Sequence, residues 1–166
     1  MTFTTSNTTS DLAQKFRALS TDQQLALFWV IYTQMGESIT PAAPGASTAS
    51  PAIADGLFDQ VAELSFEEQL EVQRDLVNNK NTLISREYGA MSDTTKLLFW
   101  YQLAQGMAGG QIVPYPDGYQ ISPEAEQLLN DIKQLEFNSQ ITLFRDVVAP
   151  MGVDPTGAVQ NSTLGL

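Results

Sequence analysis

The stretches QLALFWVIY (24–32) and KLLFWY (96–101) decide the fold of this chain. The Leu-Phe-Trp triplet occurs in both, at 27–29 and 98–100, with an offset of 71 residues. In the first copy Leu25, Phe28, Trp29 and Tyr32 are spaced i, i+3, i+4, i+7, which places them on one face of a helix. The pattern predicts two helices that each carry an apolar, aromatic stripe.

A second block repeats in the same register. The segment QLEVQRDLV (69–77) is followed 71 residues later by QITLFRDVV (140–148), and Asp22 matches Asp93 at the same offset. Two blocks in one register indicate an internal duplication. We therefore expect two related four-helix halves, and ligand pockets often form at such an interface.

Capping residues set the predicted helix boundaries. Ser20 with Gln at the third helical position opens a helix that ends at Met35-Gly36, and Ser65 with Glu68 forms a capping box before a helix that ends near Asn79. Ser92 opens a helix that is closed by Gly109-Gly110, and Ser122-Pro123 opens another. Further helices are predicted at about 11–18, 54–63, 81–89 and 138–151. The fold class is all-α, with about eight helices and no strands, and with loops at 37–51 and 111–120.

Composition excludes several classes of function. The 166 residues carry a net charge of −11, which disfavours nucleic-acid binding because phosphate backbones repel an acidic surface. The chain has no Cys and no His, so thiolate metal sites and histidine-based catalysis are excluded. No carboxylate pair fits a catalytic or calcium-loop pattern, and we expect neither an enzyme nor a metal site. Without a signal peptide or an apolar run near 20 residues, the sequence predicts a cytoplasmic protein that does not span a membrane.

The residues alone do not decide the role of two sets of side chains. The aromatic stripes are either ordinary core or the wall of a ligand site. Arg74 and Arg145, which are equivalent in the repeat, either form structural ion pairs or lie at a ligand mouth or partner interface.

Five segments resemble the N-terminal domain of the orange carotenoid protein family of cyanobacteria. They are residues 24–32, 42–46, 96–101, 116–122 and 140–145, within a similarity that extends from about residue 11 to Val153. The resemblance implies a stand-alone helical carotenoid protein with two interleaved four-helix halves. It divides the chain into a flexible arm at 1–10, a carotenoid-binding domain at 11–153 and a flexible tail at 154–166. The expected ligand is a ketocarotenoid, first canthaxanthin, with echinenone or hydroxyechinenone as alternatives.

The resemblance also assigns site residues by position. Trp29 and Tyr101 are expected to flank the polyene, and Trp100 to face the pigment, while Phe28 and Phe99 belong to the core behind. The remaining positions implied to contact carotenoid are Leu25, Tyr32, Gly45, Gln73, Leu76, Ala104, Met107, Tyr115, Pro116, Tyr119, Ile141, Thr142, Arg145 and Met151.

Some positions depart from the family pattern. Gln73 stands where the family has Met, Tyr115 where it has Ile, and Ala104 where it has Gly, so ring seating or colour is expected to differ. Thr94 replaces an Asn that holds a partner domain, which puts the docking of such a domain in doubt.

The resemblance implies a role in photoprotection, either by quenching excitation energy or singlet oxygen or by carrying pigment. We also expect a monomer that binds chloride. The alternative is an acidic helical interaction module in which Arg74 and Arg145 contact a partner such as the phycobilisome antenna, or Arg145 contacts a homologue of the family's C-terminal domain.

Overall fold

The computed structural model describes residues 9–36 and 50–155. Within these residues the chain forms eight helices and no strands. The helices are α1 (Thr9–Ala18), α2 (Thr21–Met35), α3 (Pro51–Ala62), α4 (Phe66–Val77), α5 (Leu83–Gly89), α6 (Asp93–Gly109), α7 (Pro123–Lys133) and α8 (Phe137–Val148). The predicted all-α class is confirmed.

The predicted serine caps begin four of these helices. Ser20, Ser65, Ser92 and Ser122 each accept a hydrogen bond from the backbone N–H three residues on. This bond satisfies one of the backbone donors that the first turn of a helix leaves unpaired. At Ser65 the capping box is complete, because the side chain of Glu68 also accepts from the Ser65 backbone.

Several predicted boundaries differ from the structure by two residues or more, and the first is the start of α1, which lies at Thr9 rather than 11. Helix α3 begins at Pro51 rather than 54, because Pro is favourable in the first turn, and α5 begins at Leu83, where Thr82 provides the cap. Helix α8 ends at Val148 rather than 151, because Pro150 lacks the N–H that a continued helix would need at that position. Beyond it, the Gly152 N–H bonds to the Leu76 carbonyl instead.

The helices form two interleaved bundles. In one, α1 packs on α7 and α8, and α2 packs on α7; in the other, α3 packs on α4, α5 and α6. The first bundle therefore combines the beginning and the end of the described chain. Contacts of α2 with α4 and α6, and of α6 with α8, join the two bundles.

The duplication is visible in the helix positions. Helices α4 and α8 both have 12 residues and begin 71 positions apart. The packing is paired in the same way, because the α1–α8 and α2–α7 contacts of one bundle correspond to the α5–α4 and α6–α3 contacts of the other. The predicted relation between two halves thus produces an approximate two-fold arrangement around the α2–α6 contact.

Buried glutamines connect consecutive helices. The Gln24 amide donates to the carbonyls of Arg17 and Leu19, and the Gln69 amide donates to those of Ala62 and Leu64. Gln140, equivalent to Gln69 in the repeat, donates to the Ile132 carbonyl at 3.0 Å. Each amide satisfies a carbonyl at or near the end of the preceding helix and so fixes the turn between two helices.

A group of aromatic side chains fills the core where the bundles meet. Phe28 packs between Phe16 and Trp100, with ring centroids 4.9 Å apart in both pairs. The Trp100 indole N–H donates to the Tyr88 hydroxyl at 2.9 Å, and that hydroxyl donates to the Val148 carbonyl at 2.7 Å. This buried cluster supports the inner face of the α2–α6 contact.

Candidate ligand-binding site

A cavity opens where the loop before α7 crosses α2, α4 and the end of α6. It holds about 190 Å³, and most of its wall is apolar. Its lining residues are Asp22, Leu25, Ala26, Leu70, Gln73, Arg74, Met107, Val113, Pro114, Tyr115, Pro116 and Tyr119. Pockets for whole drug-sized ligands usually hold about 300–1,000 Å³, so this cavity suits one end of a longer ligand.

An ion pair lies in the wall of the cavity. The Arg74 guanidinium donates to both carboxylate oxygens of Asp22 at 3.0 and 3.3 Å. The side chains are 40 % and 50 % exposed, so the pair lies at the solvent side. The hydrogen bond to Asp22 raises the pKa of Arg74, which stays charged. From the sequence, Arg74 was expected either to form a structural ion pair or to lie at the rim of a site. In the structure it forms an ion pair and lies at the edge of the cavity.

Five aromatic rings continue from the cavity in an unbroken row, which we call the aromatic row: Tyr119, Tyr115, Trp29, Tyr32 and Tyr101. Successive ring centroids lie 5.9, 6.1, 5.6 and 5.6 Å apart. Tyr119 and Tyr115 come from the loop, the next two rings from α2, and Tyr101 from α6. None of the five is buried, whereas Phe16, Tyr88 and Trp100 of the core cluster are. The row therefore crosses from one bundle to the other over accessible, flat, polarizable surface.

The loop that carries two of these rings is fixed to the helices. The Gln23 amide donates to the Tyr119 hydroxyl at 3.2 Å, and its oxygen accepts from the Ser122 N–H. The Val113 N–H donates to Gln69 at 2.8 Å, and Ile112 is fully buried. Gln23 was predicted to complete a cap with Ser20, but only the Ser20 half of that motif forms. Its side chain holds the loop instead, and no local sequence signal could show this.

Tyr115 is held within the loop by a hydrogen bond and is partly buried. The Tyr115 hydroxyl donates to the Tyr119 carbonyl at 2.9 Å. Partial burial raises the pKa of Tyr115, so the ring is neutral at physiological pH and offers an apolar face.

The structure brings together about half of the residues that the sequence singled out. Six of them line the cavity: Leu25, Gln73, Met107, Tyr115, Pro116 and Tyr119. Trp29, Tyr32 and Tyr101 continue the same surface as members of the aromatic row. The cavity also includes Asp22, Ala26, Leu70, Val113 and Pro114, which the sequence did not single out. Apolar spacing along α2 and α4 could have indicated Ala26 and Leu70, whereas the other three have no such signal.

Other predicted residues lie elsewhere. Leu76, Trp100, Ala104, Ile141 and Met151 are buried in the core, Thr142 is exposed on α8, and Gly45 lies outside the described residues. Trp100 was predicted to face the ligand with Trp29, but its indole belongs to the buried cluster and stacks on Phe28. Phe28 and Phe99 lie on the core side, as expected.

The repeat breaks its symmetry at the second arginine. Arg74 pairs with Asp22, and the equivalent residues in the second copy are Arg145 and Asp93. Asp93 lies instead 4.0 Å from Lys96, whose ammonium donates to the Ala149 carbonyl. Among the residues that the structure describes, Arg145 forms no ion pair.

The described ranges, 9–36 and 50–155, contain neither a metal site built from acidic side chains nor a membrane-spanning helix. No group of three or more acidic side chains there is arranged to hold a metal ion. Across the same ranges, no helix is long and apolar enough to cross a membrane.

Comparison with known proteins gives consistent matches. A family model described as "Orange carotenoid protein, N-terminal" matches residues 2–154. A protein of Nostoc sp. (strain PCC 7120) described as "Orange carotenoid-binding domain-containing protein" is 51 % identical over 140 residues, which cover 84 % of this chain and 81 % of that protein. The "Orange carotenoid-binding protein" of Synechocystis sp. (strain PCC 6803) is 38 % identical over 138 residues, covering 83 % of this chain and 43 % of that protein. This chain thus spans less than half the length of the Synechocystis relative.

Solved structures agree with the sequence matches. The red carotenoid protein of Anabaena (Nostoc) sp. PCC 7120 binding canthaxanthin superposes with a TM-score of 0.80 at 52 % identity, over 88 % of this chain and 99 % of that chain. The orange carotenoid protein of the same organism binding canthaxanthin gives a TM-score of 0.77 at 41 % identity, over 89 % and 47 % of the two chains.

Proposed function

The chain belongs to the orange carotenoid protein N-terminal domain family, and from that premise we propose that it binds a ketocarotenoid between its two bundles. The family is one of carotenoid-binding proteins rather than enzymes. Canthaxanthin is the proposed ligand, with echinenone or hydroxyechinenone as alternatives, because related structures bind canthaxanthin or a mixture of carotenoids.

The aromatic row is the observation that carries this proposal. A carotenoid has almost no hydrogen-bonding capacity along its polyene, so its affinity comes from buried apolar area, at about 25 cal/mol per Å², and from contact with aromatic faces. The row offers aromatic surface from the cavity to Tyr101: the Tyr115, Trp29 and Tyr32 rings are stacked, with successive planes 20° and 29° apart, and the terminal rings Tyr119 and Tyr101 are turned edge-on. Beside it, α2 has 15 residues and extends about 22 Å, which suits a rod-shaped ligand.

In the proposed complex the cavity receives one end ring and the aromatic row lies along the polyene. The buried residues Leu76, Trp100, Ala104, Ile141 and Met151 then support the wall from behind, and contact the pigment only where the bundles move apart. Gly45, Thr142 and Arg145 remain proposed contacts by family position.

The proposed role is photoprotection: the bound pigment accepts excitation energy or quenches singlet oxygen and releases the energy as heat. No side chain needs to exchange a proton in such a process, so a chain without His or Cys can perform it. We place the protein in the cytoplasm, at or near the phycobilisome, as a monomer.

Reconstitution with canthaxanthin tests the binding. We expect the wild-type protein to become coloured, and the double variant Trp29→Ala, Tyr101→Ala to lose most of its pigment because the middle and one end of the aromatic row are removed. The matched control is Phe66→Ala, an aromatic truncation at a 47 % exposed position outside the cavity and the row. A colourless wild-type protein, or a double variant that retains full pigment, would contradict the proposal.

Arg145 favours a second role, as an interaction module. It is the one of the two repeat-related arginines that has no ion pair in the described part of the chain, so its charge is available to an acidic partner. The proposed partners are the phycobilisome and a homologue of the family's C-terminal domain.

Fluorescence of isolated phycobilisomes tests this second role. We expect Arg145→Leu to weaken quenching by the pigmented protein, and Arg86→Leu, at an exposed position on α5, to leave it unchanged. Equal quenching by Arg145→Leu and the wild type would rule out the contact. The Trp29→Ala, Tyr101→Ala variant separates the two roles, because an interaction module keeps its partner when the pigment is lost.

A further inference from the structure

Gln73 is a buried amide without a partner. Among the described residues four glutamines are buried, and three of them donate to backbone carbonyls. Gln73 is only 5 % exposed, and its Nε2 is fully shielded from solvent with no hydrogen bond. A buried donor is normally paired, because removing it from water without a new partner is unfavourable. The unpaired amide therefore calls for a partner that the chain itself does not supply.

The position of this amide indicates where the partner lies. Gln73 lines the cavity together with apolar side chains such as Leu25, Met107 and Val113. The two charged groups of the wall, Asp22 and Arg74, pair with each other at its solvent side. The Tyr115 hydroxyl donates to a backbone carbonyl, and the Tyr119 hydroxyl accepts from Gln23. Gln73 is thus the side chain of this cavity with a fully buried hydrogen-bond donor that has no partner in the described part of the chain.

We propose that the Gln73 amide donates a hydrogen bond to a carbonyl oxygen on the end ring of the carotenoid, so that the cavity selects an oxygenated ring over a hydrocarbon ring. The inference rests on the proposed function and specifies its ligand end. A ring carbonyl only accepts hydrogen bonds, and rotation of the amide about its last side-chain torsion presents its N–H groups to the cavity. A hydrocarbon ring leaves the same amide buried and unpaired.

The competing occupant is a water molecule that satisfies the amide whether or not the ring carries oxygen. With water in that place, the two kinds of ring are distinguished by apolar contact alone. The identity of residue 73 then has no effect on which ring is chosen.

Competitive reconstitution distinguishes the two cases. The full chain is offered equal amounts of canthaxanthin, which has ring carbonyls, and β-carotene, the corresponding hydrocarbon, and the bound pigments are extracted and quantified. We expect the wild type to prefer canthaxanthin, and Gln73→Met to reduce that preference by about 2- to 12-fold, the range of one hydrogen bond. The matched control is Gln60→Met, the same substitution at an exposed position on α3, which leaves the preference unchanged.

The infrared band of the pigment carbonyl gives a second readout. A hydrogen bond lowers the C=O stretching frequency of bound canthaxanthin, and we expect Gln73→Met and Gln73→Leu to return the band to its value in apolar solvent. An unchanged preference together with an unchanged band in both variants would overturn the inference. Failure of the wild type to bind either pigment refutes the proposed function instead, whereas equal binding of both pigments by the wild type refutes only the role of Gln73.

Discussion

Tyr88 joins three parts of the fold through one hydroxyl group. The side chain is fully buried on α5, accepts from the Trp100 indole and donates to the carbonyl of Val148 at the end of α8. The Lys96 ammonium lies 5.5 Å from its ring centroid. Burial raises the pKa of Tyr88 well above its ordinary value of 10.0, so the hydroxyl keeps its proton and can donate and accept at once.

Removal of this hydroxyl is expected to destabilise the protein without emptying the site. Tyr88→Phe leaves the buried Trp100 indole N–H unpaired and removes one of the hydrogen bonds to the Val148 carbonyl, which keeps its bond from the Met151 N–H. We expect this change to cost about 1–3 kcal/mol in the free energy of unfolding. Urea unfolding measures this, and Tyr115→Phe, which removes one hydrogen bond in the loop, should cost less than about 1 kcal/mol. The pKa of Tyr88 is higher in the folded protein than in the unfolded chain. The contribution of Tyr88 to the free energy of unfolding is therefore fully present below pH 10.0 and is lost as the pH rises toward the folded pKa. A Tyr88→Phe protein as stable as the wild type would contradict this role.

Helices were predictable where their signals are local. Four serine caps, the capping box at Ser65 and the left-handed Gly110 after α6 all follow from neighbouring residues, and the structure contains each of them. The end of α8 depends on distant partners as well. There the Lys96 ammonium donates to the Ala149 carbonyl. The backbone N–H groups of residues 152 and 153 donate to the carbonyls of Leu76 and Ser85. Such tertiary contacts have no signature in a window of sequence.

In the candidate site, too, local patterns were predictable and tertiary contacts were not. The helical spacing of α2 placed Leu25, Trp29 and Tyr32 on one face, and the structure places all three at the cavity or in the aromatic row. Trp100 has the equivalent position in the repeat, but the Tyr88 hydroxyl, 12 residues earlier, holds its indole in the core. The repeat therefore predicted which positions correspond, but it could not predict which of two corresponding side chains keeps a polar partner.

At the scale of the whole molecule, the duplication explains why a site forms between the bundles. Each bundle takes helices from both copies of the repeat. Neither copy of the repeat can therefore complete a core without helices of the other copy. The aromatic row and the cavity both lie where α2 meets the neighbouring bundle, through α6 and α4. A ligand seated there contacts both bundles and favours their docked arrangement.

Pigment binding is therefore expected to stabilise the whole fold. A ligand that binds only the folded state adds about 2.7 kcal/mol at a concentration 100 times its Kd, and about 1 kcal/mol shifts Tm by roughly 2–4 °C in a domain of this size. The canthaxanthin-bound protein should thus melt roughly 5–10 °C above the pigment-free protein when both are followed by circular dichroism. The Trp29→Ala, Tyr101→Ala variant provides the control, because its melting temperature should not respond to added pigment. Pigment-bound and pigment-free wild-type proteins that melt together would show that the carotenoid does not bind the folded state in preference to the unfolded chain.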